Sequence, residues 1–477
     1  MRVARCLLTL FVCVAAASCA SRKPVVSPPV VSAPPAPVVD VTALIRHGCF
    51  RCLERAAAAA QGEQAFEVNA LLTLRAKELG LPYAEYRARA GGFAPADAAF
   101  ATYLEMIDSA PIDVLAGERY VREPLPPPPV QRDANGAPIR PPSQAERVAA
   151  WHEVLQTGPG SDVFRRYLDI TNGCSLSPAA ELTPAEHDVP LLRYRVGLCG
   201  GRSEDFRAFR DADPEFADAD ATLGRIALNT TPVDLDEALR WMLSAHAAFP
   251  DSLSISTRLG HVYDDREEWD QALTTYDALI SAMPVHRDAL LGRTIALSHL
   301  GRNQEAMATA TRMIDLGSWL MGEAYYWRAW NEFAIQDYQV AREDTDRAKA
   351  RMINASVFVL SGLVEWNLLR LPTAESELEE ALKMDFGRCD AARYLGRVRM
   401  QRNKPPEAMA AFKQAIQCFD LSITVRQTLI ASIEKGAGSE ATKARLIAGH
   451  QRAIDASIAD RSECQQNMAI LEKRGTQ

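Results

Sequence analysis

Two cysteines three residues apart, in GCFRCLE at Gly48 to Glu54, have the spacing best suited to chemistry. A CxxC pair can form a redox-active disulfide, ligate a metal, or carry haem when histidine follows. Leu53 follows Cys52, so haem attachment is excluded. Zinc needs further ligands, but no second closely spaced thiol pair exists, and Cys174 and Cys199 stand too far apart to supply one. The pair also sits in an Ala-rich helical stretch, not in a βαβ unit. That setting favours a local structural disulfide or two partly buried thiols near a helix start, with a thiol-active Cys49/Cys52 as the alternative. His152 begins HEVLQ, where Gln156 occupies the place a zinc-binding helix needs for its second histidine. No GxxxxGK[ST] loop, GxSxG elbow or GxGxxG turn after a strand is present, and the eight histidines are scattered. No constellation joins a nucleophile, a base and oxyanion donors. The expectation is a protein that is not an enzyme, with no catalytic residues, cofactor or metal.

The elements around these residues are helical, on a chain of 477 residues that is long enough for two or three domains or one extended array. Its 53 basic residues face 61 acidic ones, with no basic block, which argues against a nucleic-acid partner and for protein or peptide segments. MRVARCLLTLFVCVAAASCAS opens the chain with Arg2 and Arg5, a short apolar run and small residues. This is the order of a secretory signal, too short to span a membrane. Its end, Ala16-Ala17-Ser18-Cys19, resembles a bacterial lipobox, which implies cleavage before Cys19 and lipidation of its thiol; ordinary cleavage near Ala17 or Ala20 is the alternative. By resemblance to enterobacterial sorting, Ala20 after the cysteine implies the outer membrane of a Gram-negative cell, facing the periplasm. Residues 1–18 are thus read as a signal and 19–39 as a lipidated cysteine with a tether. The six prolines of KPVVSPPVVSAPPAPV favour an extended polyproline spacer. Membrane contact is expected through the N-terminal lipid only.

Residues 40–123 read as helices, for instance Val41 to Ala60, Gln64 to Leu79 and Pro95 to Ser109. Residues 124–142 read as a proline-rich loop or linker, and 143–216 as degenerate helical hairpins. A period then sets in. Ala238, Ala272, Ala306, Ala341, Ala374 and Ala408 follow one another at 34, 34, 35, 33 and 34 residues. Twelve before the last five stand Gly260, Thr294, Ala329, Gly362 and Gly396, while Gly224 stands fourteen before the first, which implies a two-residue insertion near Asn229 to Pro232. Small residues at matched points let two antiparallel helices approach closely, with Tyr263 and Tyr276 filling the space beside the contact.

With Gly260, Tyr263, Ala272, Tyr276 and Pro284 in their places, the pattern resembles the tetratricopeptide repeat, a helix-turn-helix unit of about 34 residues. The resemblance covers residues 217–420 as six repeats. Ser318, Ile353, Phe386 and Asp420 depart from the terminal proline, and Ala310, Thr345 and Leu378 from the second aromatic. The fold class is therefore all-α, a superhelix of helical hairpins with an irregular helical N-terminal region. Residues 421–477 form a helical cap with runs at Leu421 to Glu434 and Glu440 to Ala459.

Once the signal is removed and Cys19 lipidated, seven cysteines remain, an odd number. Antiparallel hairpin geometry brings Cys389, at the start of a first helix, to Cys418, at the end of the second, and predicts a bridge. A second bridge, Cys174 to Cys199, would staple the non-periodic segment between them. The resemblance implies a concave face lined by first helices that holds peptides or partner helices. The inward ridge gives His261, then Tyr326, Trp330 and Phe333, then Trp366, then Arg393 and Arg397. The tryptophans are expected as anchors and the arginines as anion contacts. Either this groove is open, or residues 40–213 or the cap cover it. The leading reading is a lipid-anchored periplasmic scaffold that docks or assembles envelope proteins, and self-association is a further alternative. Metabolic labelling with a palmitate analogue tests the anchor: the wild type is expected to take up label and sediment with membranes, and Cys19→Ser to do neither. An unlabelled wild type would leave only ordinary cleavage.

Overall fold

A computed structural model describes residues 39–93, 98–110, 143–173, 181–200, 203–230, 233–317, 320–436 and 440–475, and among them every regular element is a helix. The signal, Cys19, the tether, Pro95 and the 124–142 linker lie outside the described residues.

The stretch predicted as one helix from Val41 to Ala60 is two, α1 (Val41–His47) and α2 (Phe50–Ala57). Gly48 breaks it with a left-handed φ of 75°, and any Cβ there would lie 2.5 Å from the Leu191 side chain. α3 (Gly62–Leu79) is buried nearly all round and forms the hub of the N-terminal region. On it, Phe66 meets Phe100 edge-on at 4.6 Å and Phe164 at 6.0 Å. These partners come from α5 (Ala98–Ser109) and α7 (Asp162–Gly173). Between hub and α5 lies α4 (Ala84–Phe93), and α6 (Gln144–Thr157) precedes α7. A helix buried on all sides must satisfy its polar residues internally. Lys77 donates to the carbonyls of Ile107, Asp108 and Ala110 at 2.7, 3.1 and 3.3 Å, which closes the exposed end of α5. Arg75, fully buried, pairs with Glu78 and Asp218 and lies 3.9 Å from the centre of the Tyr194 ring. Arg195 and the Tyr167 hydroxyl complete Glu78 at 2.8 and 2.7 Å.

Asp218 begins the first repeat, so this network ties the N-terminal region to the array, with Tyr194 and Arg195 supplied by α9 (Pro190–Gly200), which lies in the chain between α8 (Pro184–His187) and α10 (Ser203–Ala212). The six hairpins follow. They are α11 (Asp218–Leu228) with α12 (Leu235–Ala248), α13 (Leu253–Asp265) with α14 (Trp269–Ala282), and α15 (Arg287–His299) with α16 (Asn303–Asp315). Then come α17 (Met321–Ala334) with α18 (Tyr338–Lys349), α19 (Ala355–Asn367) with α20 (Leu371–Met384), and α21 (Cys389–Gln401) with α22 (Pro405–Lys435).

The period has a direct steric cause. A Cβ on Gly260 would stand 2.5 Å from the Tyr276 ring, one on Gly362 2.7 Å from Leu378, and one on Gly396 2.6 Å from Phe412. Each large residue comes sixteen after its glycine; in the first repeat it is Met242, eighteen after Gly224, which matches the two extra residues. Where the second helix offers only Ala310 or Thr345, the first helix carries Thr294 or Ala329, and all four are fully buried. At these two contacts both partners are small, so the helices meet through less side-chain bulk than where a glycine faces Tyr276 or Phe412.

Past Phe419 the structure corrects the sequence reading. Asp420, in the place of the terminal proline, does not stop the helix, and α22 runs unbroken to Lys435, so no boundary falls at 421. α23 (Glu440–Gly475) extends well beyond Ala459 and returns along the array. Its Arg445 reaches Asp236 of the first repeat at 3.2 Å, and its Arg452 reaches Glu267 in the second at 3.2 Å. Near the other end Cys464 and Leu471 are buried against Ala392, Phe412 and Phe419. Cys389 and Cys418 are joined by a disulfide across 29 residues, a loop for which chain entropy gives about 3–4 kcal/mol. No described helix is long and apolar enough to cross a membrane.

Gly292 also presses on Tyr276, from the neighbouring repeat. Gly292→Ala should therefore cost about 1–3 kcal/mol in chemical denaturation. Gly322→Ala, whose Cβ would stand 3.1 Å from the Cβ of Met352 where that of Gly292 would stand 2.2 Å from the Tyr276 ring, should cost less than Gly292→Ala. Equal effects would remove the steric explanation.

Candidate functional site

The predicted ridge divides in the structure. At its C-terminal end Arg393 meets Glu463 at 2.6 Å and Asp460 at 3.5 Å, and Arg397 meets Glu463 at 3.3 Å. The carboxylates these guanidinium groups hold are the chain's own, supplied by α23, which corrects the expectation of open anion contacts. Trp366 lies under Arg397 at 4.6 Å and donates from Nε1 to Gln401 at 2.7 Å. Phe333 packs inward beside Tyr338, at 5.5 Å, and Tyr326 packs on the cluster of Ala329, Leu360 and Val364. His261 is half-buried near Tyr276, its pKa lowered by burial and by Arg258.

Trp330 differs from these, with 40% of its surface exposed. It ends an aromatic run across three repeats. Trp269 stacks on His299 at 4.0 Å and 4°, His299 lies 6.1 Å from Trp327, and Trp327 lies 6.5 Å from Trp330. Exposed Ile335 ends the same helix, and Leu369 is 79% exposed in the next turn. Sequence reasoning missed Trp269, His299 and Trp327. Trp269 begins a second helix, and Trp327 stands one residue beside the ridge, so a rule that reads only i, i+4 and i+7 of first helices passes them by. The available signal was the recurrence of aromatic residues near successive turns.

The turns themselves are left-handed at one matched position: Glu267, Gly301, Gln336, Leu369 and Asn403 have φ of 59, 70, 67, 60 and 55°. Glycine and asparagine suit this conformation, and the others hold it at a cost. Cys174 lies outside the described residues, and with it the Cys174–Cys199 pairing.

Residues 257–318 and 360–422 match the tetratricopeptide repeat family model. Those segments are tetratricopeptide repeats. No curated protein matches it. Among solved structures it is similar to a tetratricopeptide repeat protein from Parabacteroides merdae, at 14% identity over 60% of this chain and 99% of that one, TM-score 0.40. It is also similar to a MamA fragment from Desulfovibrio magneticus, at 18% identity over 34% of this chain and 93% of that one, TM-score 0.32. A third is YrrB, described as having an unusual peptide-binding site, at 17% identity over 37% and 91%, TM-score 0.31.

Buried carboxylates lie along the first helices beside this surface. Asp264 is pushed up to about 7 by burial, against the hydrogen bond it accepts from the Tyr276 hydroxyl at 2.5 Å. Glu332 is pushed up to about 7 by burial and by Asp344, against Arg328. The folded state therefore holds protons on these groups that the unfolded chain releases at about pH 4. Their contribution to stability falls as pH rises from about 4 to 7. His261 works in the opposite sense, so the comparison must be with a variant. The urea midpoint of the wild type should gain on that of Asp264→Asn between pH 7.5 and pH 5.5, and parallel curves would refute the assignment.

Proposed function

We propose that the protein is a lipid-anchored periplasmic scaffold whose tetratricopeptide repeats dock or assemble envelope proteins. The array is built to present one long surface, and repeat proteins of this kind bind protein or peptide segments. The observation that carries the reading is the run from Trp269 to Trp330, ending in an indole that remains 40% exposed instead of entering the core. Exposed aromatic surface has the composition of interface hot spots. Because α23 already pairs with Arg393 and Arg397, we assign partner contact to the second to fourth repeats rather than the basic end. The signal, the lipobox resemblance at Cys19 and the proline-rich tether support placement at the outer membrane, facing the periplasm.

Replacing Trp330 with alanine separates docking from packing. The variant should melt within about 2 °C of the wild type, since a partly exposed side chain carries little of the core. Crosslinking in intact cells should lose the proteins captured by the wild type. A much larger fall in melting temperature, with capture lost only as the protein unfolds, would make the indole structural.

A further inference from the structure

Cys49 and Cys52 are joined by a disulfide. A bridge across three residues constrains little of the unfolded chain, far less than Cys389–Cys418 with its separation of 29, so stapling explains it poorly. Its surroundings are those of a reactive sulfur pair. Cys49 is the N-cap of α2, and its Sγ accepts from the Cys52 amide at 3.1 Å. His47 Nδ1 lies 3.1 Å from Cys52 Sγ, and Arg55 Nη2 donates to the same sulfur at 3.4 Å. A bridged sulfur carries no proton, so it accepts from Arg55, and from His47 in the form that bears its proton on Nδ1. The far nitrogen of His47 is held by Asp213, Nε2 to Oδ2 at 2.8 Å, which fixes the ring toward the sulfur. Asp218 accepts from the Phe50 amide at 3.2 Å, anchoring the first turn of α2 to the buried network of Arg75.

A surface cleft of about 680 Å³ opens beside this cluster, with Cys49, Arg51, Glu54, Arg55, Pro214 and Glu215 among its lining; Cys52 does not line it. Arg55 and Glu215, both largely exposed, meet across it at 3.5 Å. Each cysteine keeps only 1% exposure, so an incoming group reaches Cys49 only when this pair parts.

We infer that Cys49–Cys52 is an exchangeable, oxidising disulfide that accepts two electrons from a dithiol on a partner protein. A partner thiolate attacks Cys49 Sγ, the Cys49–Cys52 bond breaks, and its electron pair leaves on Cys52. His47 donates a proton to that thiolate or, with Arg55, holds it as an anion. The partner's second thiolate then attacks its own sulfur in the mixed disulfide and expels Cys49 as a thiolate, which takes up a proton. The partner's two thiols end as a disulfide and the Cys49/Cys52 pair reduced, with two electrons passed between them; Cys49 takes up one proton, and Cys52 takes up a second where His47 supplies it. Cations and helix amides around Cys52 and Cys49 favour the reduced, thiolate-bearing form, which makes the disulfide an oxidant.

The full chain, equilibrated under native conditions in dithiothreitol buffers of graded poise and trapped by alkylation, tests this by peptide mapping. The Cys49/Cys52 pair should titrate reversibly, with Cys389–Cys418 still bridged and the helical circular dichroism unchanged. His47→Gln and Arg55→Gln should each disfavour the reduced pair, lowering its equilibrium constant about tenfold for one lost thiolate contact. Cys52→Ser, mixed with a synthetic peptide whose two cysteines are bridged, should form a mixed disulfide as the Cys49 thiolate attacks the peptide bridge and expels one peptide thiolate, whereas Cys49→Ser should not. Resistance to reduction until denaturant is added would make the bridge structural and overturn the inference. So would wild-type behaviour of both the His47→Gln and the Arg55→Gln variants. The ligand atoms of His47, Cys49 and Cys52 lie within 4.8 Å of one another, so the reduced protein is also titrated with zinc; stoichiometric uptake with no exchange would convert the site to a metal site.

Discussion

In four of the six hairpins, a side chain of the second helix occupies the space where a Cβ of the first would stand. Tyr276 fills that space from Gly260 and again from Gly292, so one buried ring holds a hairpin together and holds it to the next. Helices that touch through a ring and a missing Cβ lie closer than those separated by two ordinary side chains, and the contact repeats at nearly constant intervals. Everything displayed on the array depends on that approach. The aromatic run from Trp269 to Trp330 is continuous only because successive repeats bring their turns into register.

The two ends of the array are closed by different means. At the start, Arg75 and Asp218 are both buried, and removing either would leave an unpaired charge in the core, which is costlier than the pair itself is stabilising. This network defines how the hub helix meets the first repeat more than it adds stability. At the end, α22 continues past its repeat because nothing stops it, and α23 folds back to bury Cys464 and Leu471. Salt bridges of Arg445 and Arg452 to the first two repeats are partly or largely exposed and individually weak, so they orient the returning helix while its apolar contacts hold it.

How much of this was legible in the sequence follows from which features are local. The repeat could be read because its cause, missing bulk opposite a large side chain, recurs at fixed offsets in one chain. The hairpin disulfide could be read because it follows from that geometry. The break at Gly48 was hidden in an Ala-rich run, since a single left-handed glycine leaves the helical pattern on either side intact. Nor could the pairing of Arg393 with Glu463 be read, because it joins residues 70 apart through a return path set only by the continuation of α22. His47 and Asp213 around the CxxC are similarly distant in sequence and meet only through the packing of the N-terminal helices on the first repeat.

That hidden pairing changes what the groove is able to recognise. A partner carboxylate approaching Arg393 or Arg397 competes with Glu463 and Asp460, which are tethered at an effective concentration on the order of millimolar or higher. An external chain terminus or acidic side chain gains little by replacing one carboxylate with another, since the guanidinium groups are satisfied before it arrives. The exposed face of Trp330 has no such internal competitor to displace, and covering it removes apolar surface from water at about 25 cal/mol per Å². On this reading, selectivity in the array comes from apolar shape along the second to fourth repeats. The basic end serves to keep α23 in place, so that its charges set the geometry of the surface without themselves contacting the partner.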